Sequence, residues 1–176
     1  MRFIHLLVAF SILSALLALP CPSLAATASF KLSPEVVLSK PGEKFEVNLS
    51  VTSSANLDAI EIDLAFDPSK LELTKFQPTT TFNAEVRNQI DNQAGSLLWT
   101  TVDVQKPRKI ITGEVNLGTL TFDGQESGQS AISFKKAQVG SIDTPGITSN
   151  QNSVQVIIAG NQSIFEKILT FFRNLF

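Results

Sequence analysis

The strongest constraint on this chain is an alternation of apolar and polar residues, with a period of two, that recurs between positions 29 and 158. Phe45, Val47, Leu49 and Val51 alternate with Glu46, Asn48, Ser50 and Thr52. Ile60, Ile62, Leu64 and Phe66 alternate with Ala59, Glu61, Asp63 and Ala65 in the same way. Successive side chains of an extended strand point to opposite faces, so each run has one face for a core and one for water. Phe30 and Leu32 begin the series, and further strands are predicted over 71–76, 85–91, 96–102, 131–139 and 153–158. In residues 115–122 apolar side chains fall on both phases, which reads as a strand buried on both sides. Turn chemistry separates the runs: Pro41-Gly42, Asp67-Pro68-Ser69, Asn92 to Gly95, Asp123-Gly124, Ser127-Gly128 and Thr144-Pro145-Gly146. Short strands at this spacing, with no βαβ alternation, predict an all-β, two-sheet sandwich of about nine strands.

Residues 1–25 read as a secretory signal peptide. Arg2 supplies the positive start, Leu6–Leu19 the apolar core, and Ser23-Leu24-Ala25 the small residues a signal peptidase reads, with Ala28 as an alternative cleavage point. The core is shorter than the ~20 residues of a membrane span. Cys21 is preceded by Pro20, whereas lipidation needs a small residue there. Cleavage removes the only cysteine and the only histidine, His5.

That loss excludes several chemistries. The exported chain has no disulfide, no Cys or His ligand for zinc, and no histidine to act as a general base, which rules out Ser-His-Asp and Cys-His catalysis. The whole chain carries 14 Lys and Arg against 16 Asp and Glu; without Arg2 the net charge moves from −2 to −3. This balance offers no broad basic surface for nucleic acid. Asp58, Asp67 and Asp123 sit at turns and have the hard oxygens calcium prefers, but no EF-hand loop is present. No metal, cofactor or catalytic residue is assigned, and the chain is read as a non-enzyme.

Residues 26–159 form one predicted domain, followed by a linker and a short amphipathic helix over 160–176. Ser163 to Glu166 is a capping box. Phe165, Ile168, Leu169, Phe172 and Phe176 fall on one broad apolar face, with Glu166, Thr170 and Arg173 opposite. Fourteen helical residues rise only ~21 Å, less than the ~30 Å hydrocarbon core of a bilayer. The apolar face has three covers open to it: the sandwich, a partner, or a membrane interface. Four phenylalanines within fourteen residues favour weak membrane or envelope association.

Three segments, taken in order, resemble the cohesin family of secreted modules. FKLSPEVVLSKPGEKFEVNLSV is similar to the first two cohesin strands, with Pro41-Gly42-Glu43 as their turn. NLDAIEIDLAFDPSKLEL resembles the recognition strand and its aromatic-Asp-Pro turn, here Phe66-Asp67-Pro68. GEVNLGTLTF, then Gly128 and AISF, resembles the late strands. The resemblance runs from about Ala28 to Ile158. It implies a jelly-roll β-sandwich that docks a protein partner, a dockerin in cohesins, through one sheet face. A cell-surface glycan is the other ligand in view. A carbohydrate-binding module assisting polysaccharide breakdown is the alternative function, and a secreted or envelope-associated location follows from either.

The positions matching that face are Ala59, Glu61, Asp63, Arg87, Gln89 and Trp99. Ala59 stands where many cohesins carry a polar side chain, and Glu61 replaces a shorter acidic residue. Trp99, the only Trp in a chain without Tyr, has two readings: a core aromatic between sheets, or an exposed anchor at the centre of the face, where Trp is favoured. The family match puts it outward. Glu61 and Asp63 share a strand face and read as a recognition stripe or a solubilising surface; as a glycosidase pair they rank last. Lys106-Pro107-Arg108-Lys109 reads as a solvated basic loop.

Overall fold

A computed structural model describes residues 26–160 and Arg173. The predicted leader 1–25 and the tail residues Phe165, Ile168, Leu169, Phe172 and Phe176 lie outside the described residues. Among the described residues eleven strands form two sheets: β1 (Thr27–Ser33), β2 (Val36–Ser39), β3 (Lys44–Ser53), β4 (Ala59–Ala65), β5 (Leu71–Pro78), β6 (Ala84–Asp91), β7 (Ser96–Val102), β8 (Gly113–Gly124), β9 (Gly128–Gly140), β10 (Thr148–Gln151) and β11 (Ser153–Ile158). One sheet has the order β10-β1-β3-β8-β5, the other β2-β11-β9-β4-β7-β6. This is the two-sheet sandwich expected from the alternation and the jelly roll implied by the resemblance, with β2 and β10 as two short strands beyond the nine anticipated.

Period-two burial builds the core directly. Phe30, Leu32, Val47, Leu49 and Val51 face inward from one sheet, and Ile60, Ile62, Leu64, Val154 and Val156 from the other, each at most 1% exposed. Aromatic pairs join the layers: Phe30 lies 5.9 Å from Phe134, and Phe76 meets Trp99 edge-on at 5.2 Å.

Residues 115–122 correct one expectation. The strand is not buried on both sides; Asn116 is exposed and Thr119 and Thr121 are half-buried. The apolar phase changes because Leu49 pairs with Gly118 while Ser50 pairs with Asn116, leaving Leu117 as an extra residue. This β-bulge lets Val115 and Leu117, and then Leu120 and Phe122, all reach the core. Gly118 is needed at that point, since a Cβ there would lie 2.7 Å from the Gln77 carbonyl oxygen and 2.8 Å from the Phe76 ring.

Two pairings are parallel, β1 with β10 and β2 with β11. The first strand therefore begins beside Ser53 and Thr148, at the same end of the sandwich as Gly113. The last strand finishes beside Ser39 and Gly128, near Gly124, at the other end.

Candidate partner-binding face

β4 lies between β9 and β7 in the six-stranded sheet. Ala59, Glu61 and Asp63 pair with Val102, Thr100 and Leu98 on one side and with Gly140, Gln138 and Lys136 on the other. Their neighbours Ile60, Ile62 and Leu64 fill the core, so alternation turns these three outward. Arg87 and Gln89 of β6 stand opposite Thr100 and Leu98 and are exposed on the same face. Five of the six positions anticipated from the sequence thus share one outer surface spanning β9-β4-β7-β6.

Trp99 does not join them. It pairs with Ile62 in the inward phase and is 2% exposed, which corrects the outward placement. The reason is register: Leu97, Trp99 and Thr101 take the core phase of β7, leaving Leu98, Thr100 and Val102 outside. Its indole Nε1 donates a 3.0 Å hydrogen bond to Glu85 Oε2, so the polar end of a core residue is satisfied at the sheet edge.

The outer face is flat and mixed in charge. Lys136 Nζ donates to Glu61 Oε2 at 2.8 Å, with both side chains nearly half exposed. A pair this open is worth at most about 1 kcal/mol, so a partner can exchange it cheaply. Sequence reasoning missed Lys136 and Gln138. Lys135 is the extra residue of a second bulge, between the Asp63–Lys136 and Leu64–Phe134 pairs, and the doubled lysine in ISFKKAQ is its sequence trace. Asp63 Oδ1 is covered and has no hydrogen-bond partner. A shallow depression of about 250 Å³ lies over Ala59, Glu61, Thr100, Gln138 and Gly140. Its floor is low because Ala59 faces a glycine. Glu61 and Asp63 stand on open sheet with Glu61 engaged by Lys136, an arrangement that suits docking better than acid–base chemistry.

At the edge of this face the basic loop departs from expectation. Arg108 is clamped rather than solvated: Nε donates to Asp58 Oδ1 at 2.7 Å, one terminal nitrogen donates to Asp58 Oδ2, and the other to Asp143 Oδ2 at 2.6 Å. Asp58 also accepts the Ile142 amide at 2.7 Å and Asn56 Nδ2 at 3.3 Å. Burial pushes the Asp58 carboxyl up, but the Arg108 and Ile142 bonds outweigh it and hold the pKa below its ordinary value. One buried carboxylate thereby fixes the loops that flank β4. Asp67 serves its own turn, accepting Ser69 N at 2.9 Å and Ser69 Oγ at 2.8 Å, and these bonds lower its pKa. Among the described residues no three His, Cys, Asp or Glu side chains are placed to hold a metal together.

Known structures carry the same architecture. The cohesin of a Clostridium thermocellum OlpC cohesin–dockerin complex aligns with a TM-score of 0.66 at 17% identity, covering 77% of this chain and 95% of that one. The cohesin CaCohA2 of Clostridium acetobutylicum gives 0.62 at 18% identity, covering 77% and 94%. A non-cellulosomal cohesin from the archaeon Archaeoglobus fulgidus gives 0.62 at 11%, covering 80% and 97%. Among curated proteins none matches significantly. At these identities the structures speak for the fold, but the sequence profile of the cohesin domain itself matches residues 30–161. The chain belongs to the cohesin domain family.

Proposed function

We propose that this chain is a secreted, non-catalytic adhesion or scaffolding module that docks a dockerin-like protein through the outer face of β9-β4-β7-β6. The observation that carries this reading is the convergence of Glu61, Asp63, Arg87 and Gln89 on one flat, open surface, with the sole tryptophan withdrawn into the core. The face offers charge and hydrogen-bonding groups over a low floor at Ala59 and Gly140, without a cleft for a small substrate. A glycan finds no aromatic platform on this side. The leader 1–25 supports export, and the apolar stripe of 163–176 supports weak membrane or envelope association.

The test is binding of the full chain to a panel of purified dockerins by titration calorimetry. At least one should bind, and Asp63→Arg should weaken it tenfold or more without changing the melting temperature. Failure of the whole panel, or an Asp63→Arg variant that binds normally, would overturn the reading.

A further inference from the structure

Among the described residues the sheet edges are β10 and β5 in one sheet and β2 and β6 in the other. An exposed edge offers unpaired backbone groups to any other strand, and proteins blunt it with short strands, bulges, lysine, proline or a covering group. β10 and β2 are each only four residues long. β5 is interrupted by a bulge between Leu73 and Lys75 and ends at Pro78. Asn92 also closes it at Leu73, its Oδ1 accepting the Leu73 amide at 3.0 Å and its Nδ2 donating to the Leu73 carbonyl at 3.2 Å.

β6 is blunted only at its start. Its bulge falls at Val86, between the Glu85–Thr101 and Arg87–Thr100 pairs, and from there Arg87–Asp91 runs in unbroken register along β7 as far as Ser96. This run contains no proline, glycine or lysine. Among the described residues nothing bonds its backbone from the side away from β7. It is the one edge segment left ready for a strand.

The sequence of the run names its occupant. Arg-Asn-Gln-Ile-Asp complements itself when read in the opposite direction. Two copies paired antiparallel about Gln89 set Arg87 opposite Asp91, Asn88 opposite Ile90 and Gln89 opposite itself, and two-fold symmetry repeats the Arg87–Asp91 pair. Arg87, Gln89 and Asp91 stand opposite Thr100, Leu98 and Ser96 and so share the outer face. Both charges are available for the pairing. Arg87 has no ion pair among the described residues, and Asp91 uses only Oδ1, which accepts the Gln93 and Ala94 amides at 2.9 Å. Opposite charges directly across an antiparallel pair are favourable, and like charges are not. Neither adjacent register keeps both pairs. Centred on Asn88, the pairing brings Asp91 against the bulged Glu85–Val86 segment; centred on Ile90, it runs Arg87 into the turn after Asp91. We infer that the β6 edge, over Arg87–Asp91, pairs antiparallel with the same edge of a second copy of this chain about a two-fold axis at Gln89. The axis is perpendicular to the sheet, so the two six-stranded sheets join into one and both partner faces point the same way. A strand edge is small beside the ~1,200 Å² of a standard interface, so the dimer is weak and reversible.

The experiment is sedimentation equilibrium of the full chain, which should show reversible dimerisation between micromolar and millimolar concentration. Arg87→Asp, which sets like charges across the pair, should weaken association tenfold or more, and so should Asp91→Lys. An equimolar mixture of these two variants should restore it, because each chain supplies the charge the other lacks. Asp63→Arg, on β4, should leave it unchanged. In a Cys21→Ser background, Gln89→Cys should form an intermolecular disulfide under mild oxidation, since the axis puts the two side chains at cross-strand distance. This exposed position spares the turn that Asp91 supports. A chain that stays monomeric at millimolar concentration would overturn the inference and leave the edge to a strand of a different protein. Dimerisation that survives Arg87→Asp, or a Gln89→Cys chain that does not cross-link, would overturn it as well and assign association to another surface. No dockerin is present in these measurements, so the dimer and the partner face can each fail alone.

Discussion

Trp99 Nε1 and Glu85 Oε2 are joined by a 3.0 Å hydrogen bond that ties the core of the sandwich to its β6 edge. The indole packs inward against Phe76, while Glu85 stands at the exposed rim. Fluorescence of the native protein should therefore be blue-shifted and resist aqueous quenchers. Glu85→Ala leaves a buried donor unpaired and should cost about 1–2 kcal/mol in denaturant unfolding. Trp99→Phe in the Glu85→Ala background should cost less than in the wild type, because the bond is already lost.

Acid should loosen the Asp58–Arg108 clamp. The folded-state pKa of Asp58 lies below its ordinary value of 3.8. Its stabilising contribution is therefore present above about pH 4 and disappears as pH falls through the folded pKa. In Arg108→Ala, burial becomes the dominant influence on Asp58, so the acid limb should move to higher pH. The substitution should also lower stability at neutral pH, by less than breaking a fully buried pair would, because Arg108 is 33% exposed. Unfolding free energy measured from pH 2.5 to 7 gives both quantities.

The glycine beside the Leu117 bulge tolerates no side chain. Gly118→Val places atoms against the Gln77 carbonyl, the Phe76 ring and the Pro78 backbone. A loss of about 2–3 kcal/mol is expected. If melting is unchanged, β5 does not pack on β8 as described.

The tail prediction separates three covers for one apolar stripe. Deleting residues 163–176 should leave the melting temperature nearly unchanged and abolish co-sedimentation with anionic liposomes. A drop of many degrees, with full-length protein that ignores liposomes, would assign the tail to the fold.

Alternation made most strands legible because one face of each is dry. It was silent where polarity does not alternate: β10 is Thr-Ser-Asn-Gln, a strand only through its backbone pairing with β1. Trp99 was misplaced because both phases of Ser-Leu-Leu-Trp-Thr-Thr-Val contain apolar residues, so only the register with β4 decides which phase is inside. Arg108 read as solvated because its partners, Asp58 and Asp143, lie 50 and 35 positions away. Glu61 and Asp63 were legible as outward, since their neighbours are unambiguously core residues.

The parallel pairings of the first and last strands have a further consequence. The chain enters at one end of the sandwich and leaves at the other, so a tether at either terminus pulls along the strands and away from both broad faces. Held at either end, the module acts as a post that keeps both broad flanks turned sideways and open.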